Sequence, residues 1–166
     1  MAPRIVLVGP SGAGKTTIGS LLAGRFGTTF RDTDADIEAT VGVTISDIFV
    51  DHGEEHFRKL EKAAVNTALA EHAGVLALGG GAVLDEGIRR ALRDHVVVYL
   101  DVELSDAAKR IGFNRDRPLL LVNPRAQLHA LMEARRPLYE DVASVTVNTT
   151  GKTPEAVVAE IVEALA

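Results

Sequence analysis

The chain has 166 residues, 46% hydrophobic and 25% charged, which suits a single globular domain burying roughly two thirds of its unfolded surface. It has no cysteine, which excludes a disulfide framework and thiolate chemistry; the opening MAPRIVLVG is too short an apolar run for a signal peptide or membrane span, so a cytoplasmic protein without a membrane partner is expected. A formal net charge of -5 argues against general nucleic-acid affinity, which needs a basic face to displace counterions from phosphates.

Short continuous apolar runs alternate with helical periods along the chain, the pattern of an α/β fold whose parallel sheet is covered on both faces. The first run is 5–8, followed by a glycine-rich turn and a helical segment over about 15–26 that ends at Gly27. A weaker run near Thr29 and Phe30 precedes Asp32-Thr33-Asp34, and a helical period covers about 54–72. The run 75–78 breaks into Gly79-Gly80-Gly81, which is costly in backbone entropy unless the chain must lie where a Cβ cannot. A helical segment over 86–93, a run over 96–100 and a helical segment over 105–111 follow. The stretch 112–124 has no clear period, holds Arg115, Arg117 and Pro118, and reads as a mobile loop. A helix is expected over 125–139 and a strand over 144–147; the last helix has Thr153 as N-cap, Pro154 at its first position and Glu155 in its first turn.

Gly9-Pro10-Ser11-Gly12-Ala13-Gly14-Lys15-Thr16 matches the P-loop pattern G-x-x-x-x-G-K-[ST] at every fixed position, between a strand and a helix as that motif requires. The glycines let backbone N–H groups face phosphate, the helix N-terminus adds partial positive charge, Lys15 reaches the β- and γ-phosphates, and Thr16 offers a hydroxyl to Mg2+. Thr149 to Thr153 resembles the end of a second such loop, but position 146, where the first glycine would fall, is Thr.

The P-loop alone leaves switch GTPases, motor-type ATPases and small-molecule kinases open. A guanine-specific N-K-x-D is absent, because none of the asparagines is followed by Lys. The strand before the three glycines lacks the terminal Asp that many P-loop proteins use for Mg2+. A second carboxylate source lies in Asp32 and Asp34: in an extended segment alternate side chains share a face, so one can serve Mg2+ through water and the other reach an acceptor hydroxyl. The five histidines show no metal-ligand spacing, since the Glu of H-E-x-x-H does not follow His52.

With the P-loop, the D-T-D, Phe57-Arg58-Lys59-Leu60-Glu61, Leu78-Gly79-Gly80-Gly81-Ala82-Val83, Arg115-Asp116-Arg117-Pro118-Leu119-Leu120 and Arg135-Arg136-Pro137-Leu138-Tyr139 in this order and spacing, the sequence resembles the shikimate kinases over nearly its whole length. The resemblance implies a three-layer P-loop fold like that of the nucleoside monophosphate kinases, with a central parallel five-stranded sheet in the order 2-3-1-4-5 and a lid over 112–124. It implies one kinase domain over 1–166, with its P-loop core at 9–17 and its substrate-binding region at about 32–61, that phosphorylates the 3-hydroxyl of shikimate with Mg-ATP on the route to the aromatic amino acids.

Residue by residue, the resemblance places Lys15, Asp34 and Arg117 in catalysis, with Asp34 on the acceptor hydroxyls and Arg117 against the transferring phosphate. It assigns Arg58 and Arg136 to the shikimate carboxylate, Glu61 to holding Arg58 by an i,i+3 pair, Phe49 and Phe57 to apolar walls, and Gly79, Gly80 and Gly81 to bare backbone beside the ring oxygens, so that Gly80→Ala is expected to damage shikimate affinity more than ATP affinity. Gly12, Ala13, Gly14, Lys15, Thr16, Thr17, Arg110, Arg117 and Thr153 are assigned to the nucleotide, and Thr16 with Asp32 to Mg2+. Two departures precede the last helix: Asn148-Thr149 stands in place of the family's frequent Asp-Thr, and the loop Thr150-Gly151-Lys152-Thr153 lacks the arginines some members carry there. A monomer is expected. The competing readings are another small P-loop kinase, such as a gluconate kinase, and a catalytically silent nucleotide-binding protein.

Overall fold

The computed structural model describes residues 3–111 and 124–166. Four apolar residues in a row cannot show one face to water, and β1 (Ile5–Val8) is accordingly buried throughout. It lies at the centre of a five-stranded sheet with β2 (Phe30–Asp32), β3 (Val75–Ala77), β4 (Val97–Asp101) and β5 (Val145–Asn148), in the order β2-β3-β1-β4-β5. All four pairings are parallel; β1 pairs with β3 from Ile5 opposite Val75 and with β4 from Val6 opposite Val97.

The two-residue period of the strands divides the core into layers. Ile5, Leu7, Val98 and Leu100 face α1 (Lys15–Arg25) and α7 (Pro154–Leu165), meeting Ile18, Leu22, Val157 and Ile161. Val6, Val8, Leu76 and Tyr99 face the other side, against Val65 and Leu69 of α3 (Ile45–Glu71), Ile88 and Leu92 of α4 (Glu86–Leu92) and Tyr139 of α6 (Pro124–Val142). The helix α5 (Leu104–Ile111) follows β4, and a smaller cluster of Ile37, Ile45, Ile48 and Phe57 joins α2 (Thr33–Val41) to the start of α3.

Two local expectations need correction. Asp32 and Asp34 do not alternate along an extended segment: Asp32 ends β2 and its Oδ1 accepts a hydrogen bond from the Asp34 backbone N–H at 2.8 Å, so Asp32 caps α2 and Asp34 sits in its first turn. The helix expected from residue 54 begins at Ile45, where Thr44 caps it through the Asp47 N–H. Gly53, at φ 85° and ψ 172°, divides α3, so the period read over 54–72 is that of its second segment.

Because every strand is parallel, Val8, Asp32, Ala77 and Asp101 end at one edge of the sheet. The chain leaves β1 with β3 on one side and β4 on the other, and the crevice beyond such a reversal of strand order is where open α/β sheets bind ligands.

Candidate active site

The loop from Gly9 to Gly14 turns through glycines at φ 150°, 85° and 89° (Gly9, Gly12 and Gly14) and passes close to its neighbours. A Cβ on Gly9 would meet the Leu100 carbonyl oxygen at 2.5 Å, and one on Gly12 the Ala107 carbonyl oxygen at 2.7 Å. Gly14 caps α1, so the N–H groups of Lys15, Thr16 and Thr17 open onto the loop. Lys15 Nζ donates to the Gly9 and Pro10 carbonyls at 2.6 and 3.1 Å, which holds the ammonium over the cradle. Thr16 Oγ1 donates to Asp32 Oδ2 at 3.5 Å. A hydroxyl and a carboxylate facing one another beside a phosphate cradle are hard oxygen donors of the kind Mg2+ takes, together with phosphate oxygens and water. Among the described residues no three His, Cys, Asp or Glu side chains gather to hold a metal on their own.

Beside the cradle, Gly14, Thr17, Arg110, Thr149, Lys152 and Pro154 line a hollow. Arg110 is fixed across it, donating to the Gly12 carbonyl at 3.1 Å and to the Thr149 hydroxyl and carbonyl at 3.0 Å each. Ala13 is fully buried beneath the loop. Thr153 does not line the hollow; its hydroxyl accepts from the Ala156 N–H at 3.2 Å and caps α7. Asn148 Oδ1 accepts from the Thr150 N–H at 2.8 Å, a bond an Asp carboxylate would accept equally well.

A second cleft lies beside Pro10 and Ser11 of the loop and brings together Asp34, Arg58, Glu61, the three glycines, Phe49 and Phe57. Phe49 and Phe57 pair at 4.9 Å between ring centroids, and the Arg58 guanidinium lies 5.3 Å from the Phe57 ring. Arg58 donates to Glu61 Oε1 at 2.8 Å and to Glu54 at 3.3 Å, pairs one helical turn apart that aim the guanidinium. Glu61 is buried, and burial raises its carboxyl pKa against the opposing pull of Arg58.

The three glycines follow β3 for reasons of space, since none is among the residues at positive φ. A Cβ on Gly79 would meet Asp34 Oδ1 at 2.6 Å and Glu61 Oε2 at 3.0 Å, and one on Gly81 would meet the Arg58 guanidinium, with its Nη2 at 2.5 Å. At Gly80 the nearest atoms, Ser11 N and Arg135 Nη1, would be 3.5 and 3.6 Å away, an ordinary contact. A Cβ at Gly79 or Gly81 would therefore have to displace the carboxylates or the guanidinium of the cleft, whereas Gly80 has room for one. The Gly80 carbonyl is itself engaged, accepting from the Tyr139 hydroxyl at 2.5 Å.

The second arginine differs from expectation. Arg135 lines the cleft; Arg136 does not, and its Nη1 donates to Asp101 Oδ1 and Oδ2 at 3.2 and 3.0 Å. Adjacent residues on a helix point about 100° apart, and here Arg135 falls on the cleft side while Arg136 is drawn to Asp101. Leu128, Met132, Arg135 and Tyr139, spaced by four, three and four residues, share that face. This stripe was available in the sequence as a helical period, and it also identifies Leu128, Met132 and Tyr139, which the motif-based reading missed. Arg115 and Arg117 lie outside the described residues.

The family model "SKI: Shikimate kinase" matches residues 11–166. The chain belongs to the shikimate kinase family. It is similar to the shikimate kinase of Salinispora tropica, 62% identical over 161 residues, covering 97% of this chain and 96% of that one, and to that of Streptomyces coelicolor, 59% identical and covering 99% and 96%. A solved shikimate kinase from Acinetobacter baumannii, in complex with shikimate, superposes with a TM-score of 0.95 at 39% identity, covering 99% of this chain and 93% of that chain. The fold, with its 2-3-1-4-5 parallel sheet, is that of this family of kinases.

Proposed function

We propose that the protein transfers the γ-phosphoryl group of Mg-ATP to the 3-hydroxyl of shikimate. The observation that carries this reading is the convergence, within one cleft beside the phosphate cradle, of a carboxylate, Asp34, with two guanidiniums, Arg58 and Arg135. Shikimate is a small cyclic carboxylate bearing hydroxyls, and planar forked donors suit its carboxylate at roughly 1.5–3 kcal/mol per charge-assisted bond. Arg135 takes the part that the resemblance to the family assigned to Arg136.

Asp34 accepts a hydrogen bond from the attacking hydroxyl and orients its oxygen toward the γ-phosphorus. As the new P–O bond forms, the bond between the γ-phosphorus and the β-phosphate oxygen breaks, ADP leaves with that oxygen, and the proton of the attacking hydroxyl passes to the Asp34 carboxylate. Because phosphoryl transfer is chiefly positioning and electrostatic stabilisation, Lys15 and the N–H groups of the cradle act on charge that builds on the phosphate oxygens. Thr16 and Asp32 would hold Mg2+, which supplies charge neutralisation across the β- and γ-phosphates. Arg110 and Thr17 face the nucleoside, and Phe49 and Phe57 wall the acceptor side. Arg117, on the segment 112–123, acts on the transferring group from outside the described residues.

A coupled ADP-release assay with Mg-ATP against shikimate, gluconate and nucleoside monophosphates tests the reading. Turnover with shikimate alone is expected, and turnover with gluconate alone would overturn it. In the same assay Asp34→Asn is expected to lower turnover by about 10²–10⁴ while nucleotide affinity holds. Undiminished turnover would remove Asp34 from its role.

A further inference from the structure

The carboxylate of Asp101, at the end of β4, is the meeting point of a hydrogen-bonded cluster that touches neither ligand site directly. Its Oδ1 accepts from the Tyr99 hydroxyl at 3.1 Å and from the Val102 N–H at 2.9 Å, and both its oxygens accept from Arg136. Glu133, one turn back along α6, flanks the same guanidinium at 3.5 Å. Burial pulls the Arg136 guanidinium pKa down, but Asp101, Tyr99 and Glu133 together raise it and the net shift is upward. Tyr99 stacks on Tyr139 at 5.0 Å between ring centroids, and Tyr139 in turn donates to the Gly80 carbonyl in the cleft.

The stretch of α6 that carries this cluster is weak as a helix. Pro137 lies inside it, and a proline in a helix interior has no N–H for the carbonyl four residues back. The turn that carries Arg135 and Tyr139 on its cleft face therefore depends on contacts made outside the helix, and the Arg136–Asp101 ion pair, at 3.0 Å, is a charged contact from that turn to β4. With Arg136 drawn toward β4, its neighbour is turned toward the cleft.

We infer that Arg136 is a positioning residue for the acceptor side of the site: its ion pair with Asp101 sets the rotation of α6 and so holds Arg135 in the cleft. The inference rests on the assignment of Arg135 to the acceptor carboxylate. Asp101 divides the two halves of the site chemically. Its carboxylate serves α6, while its backbone carbonyl accepts from the Thr149 N–H and hydroxyl at 2.8 and 3.1 Å and thereby supports Thr149, which Arg110 holds on the nucleotide side. Loss of the ion pair should therefore reach the acceptor and spare the nucleotide.

The test is steady-state kinetics with Mg-ATP and shikimate on the full chain, comparing Arg136→Gln, Arg136→Lys, Arg135→Gln and the Arg135→Gln/Arg136→Gln pair, each with a thermal melt. Arg136→Gln is expected to raise the shikimate KM about tenfold, within the cost of a small misplacement of a binding group, and to leave the ATP KM unchanged. Arg136→Lys should recover part of that loss, because an ammonium keeps the charge without the fork. In the Arg135→Gln background, Arg136→Gln should add nothing, since the group it positions is already gone. An unchanged shikimate KM in Arg136→Gln, an equal rise in the ATP KM, or an undiminished effect in the Arg135→Gln background would overturn the inference. If Arg135→Gln by itself leaves the shikimate KM unchanged, the assignment of Arg135 fails and the inference fails with it. Should Arg136→Gln not fold, Asp101→Asn takes its place with the same expected outcomes, because the amide leaves the backbone carbonyl on Thr149 intact.

Discussion

Glu61 sits one turn beyond Arg58 with its carboxylate buried beneath the cleft, where ionisation is both costly and useful. It is costly because burial raises the carboxyl pKa above its ordinary 4.5, and useful because the ionised form aims the Arg58 guanidinium. A pKa raised on folding contributes stability below the unfolded value and loses it as pH climbs through the folded one. The stability of the protein relative to Glu61→Gln, measured by denaturant unfolding between about pH 4 and pH 7, should therefore fall as pH rises, even though the substitution loosens Arg58. A difference that stays flat, or that grows with pH, would show that Arg58 outweighs burial. The i,i+3 spacing of Arg58 and Glu61 was legible in the sequence. The sign of the shift was not, because burial belongs to the packed molecule.

At the scale of the element, the turn after β3 and the helix α6 teach different lessons. Three glycines in a row suggested bare backbone beside a ligand, yet they are not equivalent: Gly79 and Gly81 leave room for the side chains of Asp34, Glu61 and Arg58, whereas Gly80 has space for a methyl group. Gly79→Ala is accordingly expected to raise the shikimate KM at least about tenfold and to lower turnover, because it displaces Asp34 and Glu61 together; Gly80→Ala should cost less than either neighbour. Shikimate KM values in the order Gly80→Ala above Gly79→Ala would contradict this account. On α6 the resemblance took Arg136 from the pair Arg135-Arg136, whereas the helical period running from Leu128 through Met132 to Tyr139 favours Arg135. The short helix α2 was obscured by a single residue, since Asp32 ends a strand and caps the following helix at once.

At the scale of the whole molecule, the parallel sheet collects the phosphate cradle, Asp32, the glycine turn and Asp101 at the carboxyl ends of its strands. The cradle lies between the acceptor cleft and the Arg110 hollow, both built from parts of the chain that only folding brings together, so under the proposed function ligand binding is coupled to folding. Shikimate at one hundred times its dissociation constant should then stabilise the fold by about 2.7 kcal/mol, a rise in Tm of roughly 5–10 °C for a domain of this size. Differential scanning fluorimetry checks this, and an unchanged Tm would argue against a preformed acceptor cleft.

Local sequence by itself determined the α/β alternation and the phosphate cradle, because strand and helix periods and the glycine-lysine-threonine turn depend on neighbours a few residues away. The tertiary structure decided which of two adjacent arginines enters the cleft, which of three glycines a Cβ would bring against the cleft's charged side chains, and how Asp32 and Asp34 come to face the site. These depend on the rotation of a helix about its axis and on atoms brought together from distant parts of the chain. Such a rotation is set by packing against β4, through contacts such as Arg136 with Asp101, which lie 35 residues apart in the chain.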